Sequence, residues 1–274
     1  MCRWLAYAGD PVPLASLVAD PENSLIHQSR RSRLGADEVN ADGFGVGWYT
    51  EGDPRPARFR SIRPAWGDPN LPDLARAVRS PLFVAHVRAA TGSPVEPTNC
   101  HPFADGRWLW AHNGEVRGID RLRRDLALAL DPRRYPHLRG STDSELLFLL
   151  ALTFGLEEDP VRAVARTVGL VEAVGADQGV EHPVMMTVAV TDGATLWAFR
   201  YSSEHDTRTL FHTADDDAVR GLHADPDAAP AGARVVVSEP LSDLPGEWVE
   251  YPESSVGVVG AGHDEIRDFA PEAP

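Results

Sequence analysis

A cysteine stands at position 2, directly after Met1, in the opening Met1-Cys2-Arg3-Trp4-Leu5. Initiator methionine is removed when the next residue is small, and removal here leaves a thiol and a free α-amine on one residue. A thiol of pKa ~8.5 is a weak nucleophile at neutral pH, while an α-amine of pKa ~7.7–8.0 can act as its general base. Cys2 alone would then supply nucleophile and base, as in the N-terminal threonine variants of the catalytic triad. Taken by itself, a cysteine at this position is more often incidental, so its meaning depends on the other reactive residues of the chain.

Three segments carry such residues. His86-Val87-Arg88-Ala89-Ala90-Thr91-Gly92 ends a strand-like run, which puts Arg88 at a sheet edge, where its planar fork suits bidentate recognition of a carboxylate. Asn113-Gly114 is either a hairpin turn, which this dipeptide favours, or an oxyanion hole built from an amide side chain and a backbone N–H. Asp143, in Ser141-Thr142-Asp143-Ser144, lies just before an apolar helix. It is either a helix cap, with Glu145 too near to complete a capping box, or a carboxylate that receives an ammonium group. Each structural reading is at least as good as its functional rival when taken singly. Together the functional readings describe one ligand, an α-amino acid gripped at its carboxylate by Arg88 and at its ammonium by Asp143. Its side-chain carbonyl would face Cys2, Asn113 and Gly114.

These residues must be positioned by sheets. Phe44–Tyr49, Leu82–Val87 and Trp108–His112 have the β-branched and aromatic character of strands. Gly43, just before the first of these, is spaced evenly with Gly45 and Gly47 inside it, with no helix start after them, which marks close backbone approach rather than a dinucleotide fingerprint. Leu122, Leu126 and Leu130 give one helical face over 120–130; residues 144–154 are apolar nearly all round, as in a buried helix. Asp159-Pro160 starts a further helix with Val161, Val164, Val168 and Val171 on one side. Strands return at 184–190, 195–199, 234–238, 247–251 and 255–259, so the order of strands, helices and strands predicts α+β with antiparallel sheets. The acidic, proline-rich stretch 215–232 reads as a surface excursion. Residues 2–262 read as a single domain and 263–274 as an extended tail.

Composition narrows the function. All 26 basic residues are arginine, so a P-loop lysine and a Schiff-base lysine are both excluded. A net charge of −15 argues against nucleic acid or an anionic membrane as partner. Two cysteines make neither a disulfide framework nor a thiolate zinc site, and the histidines lack metal-binding spacing, so no metal and no cofactor is expected. No apolar run reaches membrane-spanning length and no secretory signal is evident, which predicts a cytoplasmic protein. Cys100-His101 is a rival dyad, but adjacent residues on an extended segment point to opposite sides.

With Asn40-Ala41-Asp42-Gly43-Phe44-Gly45, Asn99-Cys100-His101-Pro102 and His112-Asn113-Gly114 added, the motifs resemble, in order, those of class II (N-terminal nucleophile) glutamine amidotransferases over about residues 2–200. Val237-Ser238-Glu239-Pro240-Leu241 is similar to a segment of stand-alone members, such as the γ-glutamyl hydrolases of ergothioneine biosynthesis. The resemblance implies a four-layer αββα sandwich of two stacked antiparallel sheets. It implies Cys2 as nucleophile, Asn113 and Gly114 as oxyanion hole, Arg88 and Thr91 as holders of the α-carboxylate and Asp143 as holder of the α-amine. Ala89 and Gly92 stand where many members carry tryptophan and histidine, which implies a roomier pocket, open to γ-glutamyl groups on leaving groups larger than ammonia. Three roles follow: a self-contained hydrolase of glutamine or a γ-glutamyl conjugate through a thioester, a glutaminase subunit feeding a separate synthase, or a non-catalytic γ-glutamyl-binding module. The oligomeric state is not encoded in any of these motifs.

Overall fold

Strand β1 (Arg3–Pro13) is buried on both faces over most of its length. Leu5 and Tyr7 enter one apolar cluster, Trp4, Ala6 and Ala8 another. Successive strand residues point to opposite sides, so such a run must lie between two packed layers. The computed structural model, which describes residues 2–34, 39–222, 232–260 and 263–274, shows these layers.

The first sheet joins β1 to β2 (Phe44–Thr50), β3 (Asp53–Ser61), β4 (Arg79–Val87), β9 (Phe211–Thr213), β10 (Arg234–Val237) and β11 (Trp248–Glu250). Its order is β11-β9-β10-β1-β4-β2-β3. The second sheet contains β5 (Phe103–Asp105), β6 (Trp108–Val116), β7 (Val184–Thr191), β8 (Thr195–Ser202), β12 (Ser255–Gly260) and β13 (His263–Asp268). Its order is β13-β12-β8-β7-β6-β5, and neighbouring strands in both sheets run antiparallel. The sheets meet through Trp4, Leu82, Val84, Leu109 and Leu196 with small partners such as Ala6, Ala111, Ala189 and Ala198.

Helices cover both outer faces. Against the first sheet lie α1 (Ala15–Val18), α2 (Leu25–Arg30), α3 (Leu71–Ala77) and α7 (Asp216–Gly221). Against the second lie α4 (Ile119–Leu128), α5 (Asp143–Thr153) and α6 (Pro160–Asp177). The result is the α+β, αββα arrangement expected from the motifs. Helix α5 is buried from Ser144 to Leu152 because it packs against α4 and α6 as well as β6, which explains its apolar circumference. Helix α6 starts as expected, with the Asp159 side chain accepting from the Arg162 N–H and Pro160 in the first turn.

Three readings of the sequence change. Asn113-Gly114 is not a hairpin turn: β6 runs on to Val116, and Asn113 and Gly114 pair with Thr187 and Met186 of β7. Asp143 does not precede the buried helix but is its first residue, and the cap is Thr142, whose side chain accepts from the Glu145 N–H. The stretch 215–232 holds α7, capped by Asp215; its residues 223–231 lie outside the described residues. At the chain's far end, 263–268 pairs with β12, Phe269 packs edge-on to Phe199 and Tyr201, and the Glu272 N–H reaches the Ala165 carbonyl on α6. Among the described residues no helix is long and apolar enough to cross a membrane.

Candidate active site

Cys2 precedes β1, and Arg88 follows its antiparallel neighbour β4, so the two come together at one end of the first sheet. The parity of β1 carries Trp4, Ala6 and Ala8 toward the second sheet, and Cys2 continues it. Across the interface, β6 presents Leu109 and Ala111 inward, and Asn113 continues that series. Arg3, of opposite parity, anchors the start of the strand. Its Nη1 donates to the Cys2 carbonyl at 2.9 Å and its Nε to Glu239 at 3.4 Å.

Glu239 is 1% exposed, yet its carboxyl is held below the usual range. Burial pushes it up, but donors from Asn23 and from the Leu34 and Arg33 backbone outweigh that effect, with the charge of Arg3 beside it. The buried ion pair thereby fixes the residue next to Cys2 rather than merely adding stability.

A cavity of about 330 Å³ opens at this end of the sheets. Cys2, Arg88, Thr91, Gly114 and Asp143 all line it, together with His101, His112 and Ser144. Asn113 is 2% exposed and is the one expected site residue not on its wall, although its neighbour Gly114 is.

Arg88 is braced on the cavity wall. Its Nη1 donates to the Asp42 carbonyl at 3.3 Å, and its Nη2 to the Ser93 hydroxyl at 2.7 Å and the Ser93 carbonyl at 3.3 Å. Asp42 in turn accepts from the Ala90 N–H at 2.8 Å. These bonds leave the Nε of Arg88 without a protein partner among the described residues, and they set the guanidinium plane before a ligand arrives. Arg88→Lys keeps the charge but loses the fork and the Ser93 brace. Its expected effect is a rise in KM of about 10- to 100-fold, equivalent to one or two charge-assisted hydrogen bonds. Steady-state kinetics on a γ-glutamyl substrate checks it, and an unchanged kcat/KM would remove Arg88 from the carboxylate role.

Asp143 lines the same cavity from the start of α5. Its Oδ2 accepts from the Val116 N–H at 2.8 Å, and its Oδ1 from the Ser144 N–H at 2.7 Å and hydroxyl at 3.2 Å. Ser144 also meets Nδ1 of His112 at 2.8 Å. Asn99 ties the preceding loop in place by accepting from the Ser141 N–H at 2.8 Å and donating to the Ser141 hydroxyl at 3.1 Å. Gly114 adopts φ +150°, and a Cβ there would lie 1.9 Å from the Met185 carbonyl oxygen.

Burial shapes the ionisation of the cavity's residues. Burial pushes the Cys2 thiol up from its ordinary value; Arg88 opposes that shift and Asp143 adds to it. A protonated thiol needs a proton acceptor of matched basicity. Three histidines lie close by, and burial disarms all of them. His86 is pushed down to about 3, His101 well below its usual value, and His112 down despite the charge of Asp143. Neutral imidazoles of such low basicity make poor bases. An α-amine, with an ordinary pKa of about 7.7–8.0, would match the task if removal of Met1 freed one on Cys2.

Cys100 and His101 do not pair. The Cys100 thiol donates to the Ser61 and Glu96 carbonyls, both at 3.5 Å, while the His101 ring stacks on His86 at 4.1 Å. Among the described residues no cluster of His, Cys, Asp and Glu is arranged to hold a metal ion. Ser93, Ser144 and the Arg3–Glu239 pair were not legible as site residues. Glu239 stood in a quoted motif, but nothing in its type or position linked it to Arg3.

The sequence and fold were compared with known proteins. A family model described as class-II glutamine amidotransferases matches residues 15–270. The probable glutamine amidotransferase DUG3 of Saccharomyces cerevisiae is 32% identical over 93% of this chain and 81% of its own length. The gamma-glutamyl-hercynylcysteine sulfoxide hydrolase of Mycolicibacterium smegmatis is 33% identical, covering 96% of this chain and 97% of its own. Among solved structures, a glutamine aminotransferase class-II domain protein from Silicibacter pomeroyi superposes with a TM-score of 0.75 at 35% identity, over 99% of this chain and all of the other. The glutamine phosphoribosylpyrophosphate amidotransferase of Bacillus subtilis shares the fold at a TM-score of 0.66 and 14% identity, over half of its length.

Proposed function

We infer the activity from one premise: the chain belongs to the class II glutamine amidotransferase family. It is an amidohydrolase, and its substrate in this reading is a γ-glutamyl compound whose amide nitrogen carries a group larger than hydrogen. The observation that carries the reading is the single cavity lined by Cys2, Arg88, Thr91, Gly114 and Asp143. Those residues match the carboxylate, ammonium and scissile carbonyl of a γ-glutamyl group. Ala89 and Gly92 at the same wall leave room beyond it, and a relative named as a hydrolase of a γ-glutamyl compound aligns over nearly its whole length.

In the proposed mechanism Met1 is removed and the Cys2 amine takes the thiol proton, directly or through a water. Sulfur attacks the γ-carbonyl. The Asn113 amide and the Gly114 N–H stabilise the oxyanion, where one such donor is worth ~10²–10³ in kcat. The tetrahedral intermediate collapses as the leaving nitrogen takes the proton from the amine, and a γ-glutamyl thioester remains on Cys2. Water, deprotonated by the same amine, adds to the thioester and releases glutamate and the thiol. Arg88 with Thr91 and Asp143 hold the two ends of the amino acid throughout. A reducing, cytoplasmic setting would keep Cys2 as a thiol.

The test is a substrate panel: the purified chain alone with free glutamine and with γ-glutamyl amine and thioether conjugates. Turnover of at least one conjugate well above glutamine is expected. Negligible activity on all of them until a synthase is added would replace this reading with that of a glutaminase subunit. Tight binding without turnover of any would make the chain a binding module.

A further inference from the structure

The segment from Thr98 to Phe103 borders two cavities. His101 lines the catalytic one, whereas Thr98 and Phe103 line another of about 330 Å³ that also contains Arg58, Arg60, Arg139 and Glu145. The catalytic mechanism uses none of these residues.

Arg58 and Arg60 lie two apart on the edge strand β3 and therefore share a face. Each spends an Nη1 hydrogen on a backbone carbonyl, Arg58 on Pro102 at 3.1 Å and Arg60 on Cys100 at 3.0 Å. Their remaining N–H groups have no protein partner among the described residues. Arg139 joins them from the loop before α5. The three are close enough to oppose one another's charge: Arg58 is pushed down to about 10, first by burial and then by Arg60 and Arg139.

The carboxylates nearby are committed elsewhere. Asp105 accepts from Nδ1 of His137 at 2.5 Å and from Arg134 at 3.3 Å. Glu145 accepts from the Gly140 N–H at 2.6 Å. Among the described residues none comes within 4.0 Å of a guanidinium nitrogen of Arg58, Arg60 or Arg139. A chain of net charge −15 gains no solubility from three gathered cations; the Glu145 carboxylate on the same cavity offsets part of the repulsion on Arg58 and Arg60, and a bound anion would relieve the rest. Planar forks with free N–H pairs are matched by carboxylate or phosphate oxygens.

We propose that Arg58, Arg60 and Arg139 form a binding site for a small oxyanion, a carboxylate or phosphate group, separate from the catalytic cavity. Arg58 and Arg60 hold the carbonyls on either side of His101, so the occupant would sit one hydrogen-bonded layer behind the catalytic wall.

Isothermal titration of the full chain with inorganic phosphate, and separately with citrate, at fixed ionic strength in chloride tests this. One saturable site is expected, for phosphate if the natural ligand is a phosphate and for citrate if it is a carboxylate. Arg139→Gln should weaken it at least tenfold. Among the described residues the Arg139 side chain makes no hydrogen bond or ion pair, and its backbone bond to Glu145 survives the substitution, so thermal unfolding in chloride should match the wild type. Arg58→Gln serves as an independent second variant. Absence of saturable binding for both anions overturns the proposal. So does binding that survives in both variants, or that vanishes instead in Arg88→Ala, which would place the anion in the catalytic cavity.

Discussion

Cys2→Ala should lose γ-glutamyl hydrolysis by roughly 10⁴- to 10⁶-fold, the range seen when a nucleophile is deleted from a unit that acts together. The fold should survive. The Cys2 thiol is half-buried, and its one hydrogen bond among the described residues is to the Ala89 carbonyl at 3.5 Å, so its loss costs about 1 kcal/mol or less. The strand beyond it is held independently by Arg3, Glu239 and the pairing of β1 with β4 and β10. Substrate should still bind, because Arg88, Thr91 and Asp143 remain. Turnover by circular dichroism-verified Cys2→Ala within about tenfold of the wild type would contradict the nucleophile assignment.

Gly114→Ala should be nearly as damaging, by a different route. The residue sits on β6, paired with Met186 of β7, at φ +150°, where an added Cβ would stand 1.9 Å from the Met185 carbonyl oxygen and 2.8 Å from Nε2 of His112. The carbonyl belongs to strand β7 and cannot swing away without breaking the ladder that pairs Val116 with Val184 and Asn113 with Thr187. Backbone strain and overpacking together cost about 2–5 kcal/mol, a large share of an ordinary domain's stability. In whatever folds, β6 must shift, and the Gly114 N–H moves away from the position the oxyanion would occupy. The expected outcome is a lowered Tm together with kcat reduced ~10²–10³-fold at a temperature where the variant is folded. Wild-type Tm and kcat would show that neither the close approach nor the oxyanion role is real.

Much of the site was legible because reactive residue types are rare and cluster by chemistry. Cys2, Arg88, Thr91, Gly114 and Asp143 were separated along 142 positions of sequence, yet they line one cavity. The glycines of β2 were legible too, as positions of close approach. A Cβ on Gly45 would lie 2.2 Å from the His101 carbonyl, and one on Gly47 would lie 2.8 Å from Pro102. Strand β1 was missed for a physical reason: burial on both faces removes the alternation that marks a strand, and Gly9-Asp10-Pro11 reads as a turn. Strand β3 was hidden by Pro54, Pro56 and its arginines, which an edge strand tolerates. The strand before Asn113-Gly114 was read as ending at His112 because this dipeptide is a strong local turn signal, which pairing with β7 overrides. The Arg3–Glu239 bond spans 236 residues, and no local pattern announces a contact of that range.

The central claim is that Cys2, as the processed N-terminus, carries the γ-glutamyl group during turnover. Acid-quenching the enzyme in the first turnovers with a hydrolysed γ-glutamyl conjugate, followed by peptide mass measurement, tests it most directly. The account predicts a peptide that begins at Cys2, lacks Met1 and is heavier by one glutamyl group, with no such species in Cys2→Ala. A glutamyl adduct on another residue, or a fully active enzyme that retains Met1, would contradict it.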